Sequence, residues 1–140
     1  MISGINHITL AVLNLDESLA FYIDVLGCKP VLKWKTGAYL LAGDLWLCLS
    51  LDMQKTKKVL LDYTHIAFSV STDNYEKCCD NIIKSGATIW KNNTSEGASL
   101  YFLDPNGHKL EIHVSSLQAR IEKIKQQPYE GTKFFYQNKK

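Results

Sequence analysis

The stretch Asp62-Tyr63-Thr64-His65-Ile66-Ala67-Phe68-Ser69-Val70 repeats, in altered form, Gly4-Ile5-Asn6-His7-Ile8-Thr9-Leu10-Ala11-Val12. With His65 set on His7, a spacing of 58 residues, both copies read His-Ile-x-apolar-x-Val and alternate with the period of a half-buried strand. Two related halves, each opening on a histidine strand, are the expected plan.

The segments between the copies support it. After Ile5–Val12, Leu13-Asn14-Leu15-Asp16 supplies helix caps, and Leu19, Phe21, Tyr22, Val25 and Leu26 fall at helical spacing over residues 17–26, with Gly27 as the stop. Strands are predicted at 30–35, 38–41 and 45–51, separated by turns at Thr36-Gly37 and Gly43-Asp44. A lysine-bearing link at 52–58 then leads into the second half: a strand at 63–70, a helix from Thr72 or Asp73 to Ser85, and strands at 87–90, 99–103 and 109–114. Asp104-Pro105-Asn106-Gly107 is a tight-turn sequence, and a last helix over 117–126 stops before Pro128. The expected fold is α+β, with tandem βαβββ units at about 4–51 and 62–114 forming a curved mixed sheet trough. A C-terminal helix and tail follow at 115–140. One connection differs between the halves: residues 91–98 replace a link of two or three residues with a polar loop, which in a compact domain marks a functional segment.

A chain of 140 residues, 46% hydrophobic and 21% charged, reads as a single soluble domain that needs no structural metal or disulfide. Any metal is then free for catalysis. No apolar run approaches the roughly 18 residues of a membrane span, so no membrane partner is expected. No basic and then apolar leader opens the sequence, and a cytoplasmic location is the expectation. The net charge of +2 gathers late, at Lys123, Lys125, Lys133, Lys139 and Lys140, without interleaved aromatics, so these lysines read as a solvated tail and nucleic acid is not an expected partner. Cys28, Cys48, Cys78 and Cys79 contain no Cys-x-x-Cys pair and read as reduced thiols.

In a βαβββ unit the first and last strands lie side by side, so inward-facing residues of four strands converge: His7, Cys48, His65 and Glu111. A carboxylate in Leu110-Glu111-Ile112-His113-Val114 is costly to bury unless paired or bound to a cation. A lone strand histidine is ordinarily a hydrogen-bonded core residue, but two at equivalent repeat positions with one carboxylate suit a divalent ion such as Mn²⁺, Fe²⁺ or Zn²⁺. Cys48 is read as a small buried thiol. His108 and His113 are read as surface or flanking residues, His113 sharing the face of Glu111 as a weaker ligand candidate.

These residues resemble a known family. Residues 4–12, Gly37-Ala38-Tyr39-Leu40, Leu45-Trp46-Leu47-Cys48-Leu49-Ser50, Asp62-Tyr63-Thr64-His65, Trp90-Lys91, Ser95-Glu96-Gly97, Tyr101-Phe102-Leu103-Asp104-Pro105 and Pro128-Tyr129 resemble a fosfomycin-resistance thiol transferase of the glutathione-dependent FosA type, in the vicinal oxygen chelate superfamily. The resemblance covers nearly the whole chain. It implies Mn²⁺ on His7, His65 and Glu111, and a phosphonate epoxide held by Thr9, Tyr63, Lys91, Ser95, Tyr101 and Arg120. It implies K⁺ held by Asn93, Ser95, Glu96, Gly97 and Ser99, and glutathione near Trp34, Tyr39 and Ser50, with Tyr39 helping to ionise the thiol. Thr9, Tyr39, Lys91 and Arg120 would then be the catalytic set. It further implies a homodimer in which His7 completes a site with His65 and Glu111 of the other subunit. Thr36 and Thr94 depart from the Gln and Arg that meet glutathione in the best-studied members. Asp44 lies where an epoxide-hydrolysing branch places a carboxylate base, although Gly43-Asp44 also reads as a turn. A hydrolase using Asp44 and a metal-free drug-binding module are the competing readings.

Overall fold

The computed structural model describes residues 1–135, so Lys139 and Lys140 of the expected tail lie outside the described residues. Strands β1 (His7–Val12), β2 (Lys29–Trp34), β3 (Gly37–Ala42) and β4 (Leu45–Leu51) form one sheet in the order β1-β4-β3-β2. A second sheet, in the order β5-β8-β7-β6, contains β5 (Ile66–Ser69), β6 (Ile89–Lys91), β7 (Ala98–Leu103) and β8 (Lys109–Val114). In both, the first strand runs parallel to the last and the remaining pairs are antiparallel. The repeat therefore extends to register. Thr9 faces Cys48 in the first sheet, and Ala67, its counterpart 58 residues on, faces Glu111 in the second.

Period-two alternation sorts each strand. Leu10, Val12, Leu40, Leu47 and Leu49 of the first sheet join Phe102, Leu110 and Ile112 of the second in one core. Each such side chain contributes roughly 1.5–3 kcal/mol on full burial. On the opposite faces, His7 and Thr9 of β1 and Ala67 and Ser69 of β5 are exposed, whereas Ser99, Tyr101 and Glu111 of the second sheet are buried.

Helix α1 (Leu15–Ala20) starts where the Asn14 side chain accepts the Glu17 backbone N–H at 3.0 Å. The expected single helix to Leu26 is instead interrupted: from Phe21 to Val25 the chain widens into a π-helical turn, with Leu26 N–H donating to the Phe21 carbonyl. The wider turn lets the consecutive Phe21 and Tyr22 both face inward, which α geometry at 100° per residue resists. Gly27, at φ +77°, ends the segment. A second departure concerns the strand expected at 63–70: only Ile66–Ser69 is paired, against Leu110 to His113 of β8. His65 thus sits on the approach to β5. Helix α2 (Thr72–Lys84) buries Ile82, and α3 (Leu117–Gln126) is capped by Ser116, whose hydroxyl accepts from Ala119 N–H. Among the described residues no helix is long and apolar enough to cross a membrane. All four cysteines are free, and burial pushes the Cys28 thiol up to about 11, well away from thiolate chemistry at neutral pH.

A buried polar cluster joins the two halves. Tyr22 donates its hydroxyl to Asp104 Oδ2 at 2.8 Å, Asn106 Nδ2 donates to Ser18 Oγ at 3.0 Å, and Leu13 N–H donates to Asn106 Oδ1 at 2.9 Å. Asp104 Oδ1 closes its own turn by accepting the N–H groups of Asn106 and His108. Gly107 is required here, since at φ +88° a Cβ would lie 2.8 Å from the Lys57 carbonyl oxygen. Burial, reinforced by the Asp104 charge and hydrogen bond, holds the Tyr22 phenol well above its ordinary value of 10.0.

Replacing Tyr22 by Phe is expected to cost about 1–3 kcal/mol of unfolding free energy. Because the folded-state value is the raised one, the unfolded chain loses the phenol proton first. The contribution is complete below pH 10.0 and is lost as pH rises through the folded-state value. Urea unfolding of both proteins should show their stability difference shrinking as pH rises above 10.0.

Candidate functional site

Strand parity places the predicted residues on two faces. In the second sheet, Lys91, Ser99, Tyr101, Glu111 and His113 share one face through the pairs Lys91–Tyr101, Tyr101–Glu111 and Ser99–His113. His65 reaches this face from the start of β5, with its Nε2 3.0 Å from Glu111 Oε1. Glu111 is 5% exposed. Its other oxygen, Oε2, accepts the Ser99 hydroxyl at 2.6 Å.

The His65 imidazole carries information about charge. Its Nδ1 lies 2.7 Å from the Tyr63 carbonyl oxygen, which only accepts, so Nδ1 holds a hydrogen. Nε2 then meets a carboxylate oxygen, and two lone-pair-bearing atoms at that separation repel unless a positive charge lies with them. A proton or a metal ion meets that need, and an imidazole nitrogen with a carboxylate oxygen is a donor set that Mn²⁺ or Zn²⁺ accepts. The two residues fit a divalent ion. Among the described residues, no group of three or more His, Cys, Asp or Glu side chains is arranged to hold a metal.

Lys91 supplies fixed positive charge beside this pair. Its Nζ lies 4.6 Å from the Tyr101 ring centroid and 5.5 Å from that of Tyr63. Trp90 closes the wall, 5.4 Å from the His65 ring, with its indole N–H donated to the Leu110 carbonyl. Arg120, on α3, approaches from the other side, its Nη2 3.3 Å from His113 Nε2. The polar loop between β6 and β7 is folded on itself. Asn93 Oδ1 accepts both the backbone N–H and the hydroxyl of Ser95 at 3.0 Å, while Asn93 Nδ2 donates to the Gly97 carbonyl at 2.8 Å. Ser115 pins Glu96 at 2.8 Å. Asn93, Ser95, Glu96, Gly97 and Ser99 therefore lie on one short, oxygen-rich run whose oxygens hydrogen-bond within the loop and to Ser115, Glu111 and His113.

The first sheet carries the other candidates. His7, Trp46, Tyr39 and Trp34 form a row of rings across β1, β4, β3 and β2, with centroid separations of 4.4, 5.0 and 5.0 Å. Thr9 and Cys48 are paired on the same face. Trp34 lies over Gly37, which pairs with Ser50, so Trp34, Tyr39 and Ser50 are neighbours. The Trp34 indole also donates to Thr36 Oγ1 at 3.1 Å. The expected convergence of His7, Cys48, His65 and Glu111 is divided within the chain. His7 and Cys48 belong to one sheet and His65 and Glu111 to the other, and His7 contacts Asn6 and Trp46. The sheets hydrogen-bond within themselves, each starting from an edge strand, β1 or β5, that bears the histidine.

Two histidines are corrected. His108 is no surface residue: its Nε2 donates to the Ala11 carbonyl at 2.7 Å and ties the Asp104 turn to β1. His113 is inside the site, with its Nδ1 2.5 Å from Ser99 Oγ and 3.4 Å from Glu111 Oε2. Alternation with Glu111 is the signal that marks it. Asp44 sits in the exposed β3–β4 turn, after Gly43 at φ +60°, where a turn residue is expected.

The family model described as Glyoxalase/Bleomycin resistance protein/Dioxygenase superfamily matches residues 4–112. The chain is 48% identical over 136 residues to the glutathione transferase FosA of Serratia marcescens, covering 96% of each chain. It is 34% identical over 130 residues to the metallothiol transferase FosB of Lysinibacillus sphaericus, covering 90% of this chain and 92% of that one. Among solved structures, the fosfomycin resistance protein FosX of Listeria monocytogenes superposes with a TM-score of 0.74 at 28% identity, over 86% of this chain and 99% of that one. A mutant of the same protein, complexed with Mn(II) and 1S,2S-dihydroxypropylphosphonic acid, superposes with a TM-score of 0.76 at 26% identity, over 87% of this chain and 99% of that one.

Gly97 is where loop and site meet. At φ +83°, a Cβ there would lie 2.8 Å from the Val114 carbonyl oxygen and 2.9 Å from His113 Cε1. Gly97→Ala is expected to cost at least about 1–2 kcal/mol for the left-handed backbone alone, with the carbonyl contact added. Urea unfolding measures the loss, and faster amide exchange over residues 92–97 should accompany it.

Proposed function

The chain belongs to the Glyoxalase/Bleomycin resistance protein/Dioxygenase superfamily, and from that premise we propose that it is a metal-dependent thiol transferase that inactivates fosfomycin by adding glutathione to the epoxide. What carries the reading is the pairing of His65 Nε2 with Glu111 Oε1 at 3.0 Å, beside Lys91 and Arg120, in a chain 48% identical to a glutathione transferase FosA.

His65 and Glu111 would hold Mn²⁺, the metal present in a FosX complex, with His7 of a second copy as the third ligand. Bound there, the ion supplies Lewis-acid polarisation of the epoxide oxygen. Lys91 and Arg120 bind the phosphonate through charge-assisted hydrogen bonds, and Ser95, Tyr63 and Tyr101 orient it. Thr9 offers its hydroxyl beside the ring oxygen. The Trp34–Tyr39–Ser50 face takes the thiol, with the Tyr39 hydroxyl hydrogen-bonding the sulfur as its proton leaves. One sulfur–carbon bond forms, one ring carbon–oxygen bond breaks, and the ring oxygen takes up a proton to become a hydroxyl. Fixing both reactants supplies most of the acceleration, since no side chain forms a covalent intermediate. The oxygen-rich run Asn93, Ser95, Glu96, Gly97 and Ser99 is assigned to K⁺, whose charge would add to that of Lys91.

The division of the site supports a homodimer, because His7 and Glu111 stand on separate sheets whose outer strands, β1 and β5, both present an open edge. The buried Trp46 Nε1–H, beside His7, has no acceptor among the described residues, which supports closure of that face by another surface.

Mass spectrometry of fosfomycin incubated with the protein, Mn²⁺ and glutathione should show the thiol adduct. A diol formed without thiol would instead establish hydrolysis and bring Asp44 into play, and unchanged drug would establish sequestration or inactivity. His65→Ala should reduce turnover to the uncatalysed background; activity retained at the wild-type level would remove the metal assignment.

A further inference from the structure

The imidazole of His113 bridges two groups to which the proposed function gives separate tasks, the Glu111 carboxylate and the Arg120 guanidinium. It does so with little freedom. Its side chain is 16% exposed, it stands in register with Ser99 on β7, and its Cε1 packs against Gly97 so closely that no side chain fits there. A guanidinium only donates, so Arg120 Nη2, 3.3 Å from Nε2, requires a lone pair on that nitrogen. The hydrogen of the ring then resides on Nδ1 and points at Ser99 Oγ, 2.5 Å away. Ser99, receiving there, is free to donate its own hydrogen to Glu111 Oε2 at 2.6 Å. Every bond in the series Arg120–His113–Ser99–Glu111 thus runs in one direction, from cation to carboxylate, and each polarises the next.

We propose that His113 is a positioning residue with two tasks, holding the phosphonate-binding Arg120 at its Nε2 and, through Ser99, the metal-binding Glu111 from its Nδ1–H. This rests on the assignment of Glu111 and Arg120 above. The reach of the guanidinium and the orientation of the carboxylate are thus each set from one end of the same ring. Histidine suits the task because it places a donor and an acceptor on opposite sides of a rigid plane. An amide side chain reproduces one end at a time: Asn carries its N–H near the Nδ1 position, and Gln carries its carbonyl oxygen near the Nε2 position.

Two measurements test it. In the metal-free protein, long-range ¹⁵N–¹H correlation spectra should show His113 with Nδ1 protonated and Nε2 bare; the opposite tautomer overturns the proposal whatever the enzyme's chemistry proves to be. The second compares His113→Asn with His113→Gln, both checked for wild-type folding by circular dichroism. Mn²⁺ affinity is read from the free-ion electron paramagnetic resonance signal, and KM for fosfomycin from initial rates. His113→Gln should weaken Mn²⁺ binding about 10-fold while changing KM little, and His113→Asn should raise KM about 10-fold while changing Mn²⁺ binding little. Parallel loss of both quantities in both variants, or no change in either, overturns the division of tasks between the two ring nitrogens. If wild-type protein binds no Mn²⁺, the metal assignment fails, and the task given to Nδ1 falls with it.

Discussion

A carboxylate that is 5% exposed, in a strand otherwise built of Leu110, Ile112 and Val114, is the constraint around which the second sheet is arranged. Unpaired, such a group would cost several kcal/mol, and the protein surrounds it accordingly. Ser99 is set opposite His113 by the β7–β8 register, one step along from Glu111, so its hydroxyl reaches Oε2. His65 is set at the mouth of β5, with its Nδ1 tied to the Tyr63 carbonyl so that Nε2 must face Oε1. Lys91, Tyr101 and Trp90 then close around these groups as the remaining residues of the same face. The site follows from what burying Glu111 demands.

The same hairpin does a second job at its tip. Asp104 and Asn106, buried in the β7–β8 turn, are satisfied largely from the first half of the chain, by Tyr22, Ser18 and Leu13, while His108 reaches the Ala11 carbonyl. A purely apolar contact between two sheet-and-helix halves would tolerate sliding, because hydrophobic burial has no direction. Directed hydrogen bonds between buried polar atoms do not, and a displaced turn would leave several of them unpaired at once. β8, which leaves this turn and carries Glu111 and His113, therefore starts from a fixed point. The π-helical turn belongs to the same arrangement, since it delivers Tyr22 to Asp104 while keeping Phe21 in the core.

The repeat was legible because strand alternation and the histidine copy are local features, and the observed register agrees with them: Cys48 and Glu111 stand opposite the equivalent residues Thr9 and Ala67. The helices and turns were legible from caps and glycines at nearly their observed limits. The π-helical turn was not, because its cause is a distant acceptor, Asp104, which no local pattern announces. The extent of β5 depends on how far β8 runs alongside it, which is again non-local. His113 was set aside although alternation placed it beside Glu111. A histidine at the end of a strand looks like a flank until α3 is known to bring Arg120 back against it.

Duplication followed by divergence explains why the two sheets present such different faces. The first keeps a histidine but has Cys48 where the second has Glu111, and it surrounds that histidine with Trp46, Tyr39 and Trp34. The second surrounds its histidine with a carboxylate, two cations and a loop of oxygens. One face is therefore soft and aromatic, suited to a polarisable sulfur and its carbon chain, and the other is charged, suited to an ion and an anion. A transfer between a thiol and a phosphonate epoxide needs both environments in contact with water excluded between them. On the proposed reading, bringing β1 of one copy against β5 of another does this at both ends of the pair, and the two histidines inherited from the repeat become ligands to a single ion. On that reading neither half supplies the site alone, because a carboxylate that attracts a cation and an aromatic wall that receives a thiol make opposite demands on the same strand positions.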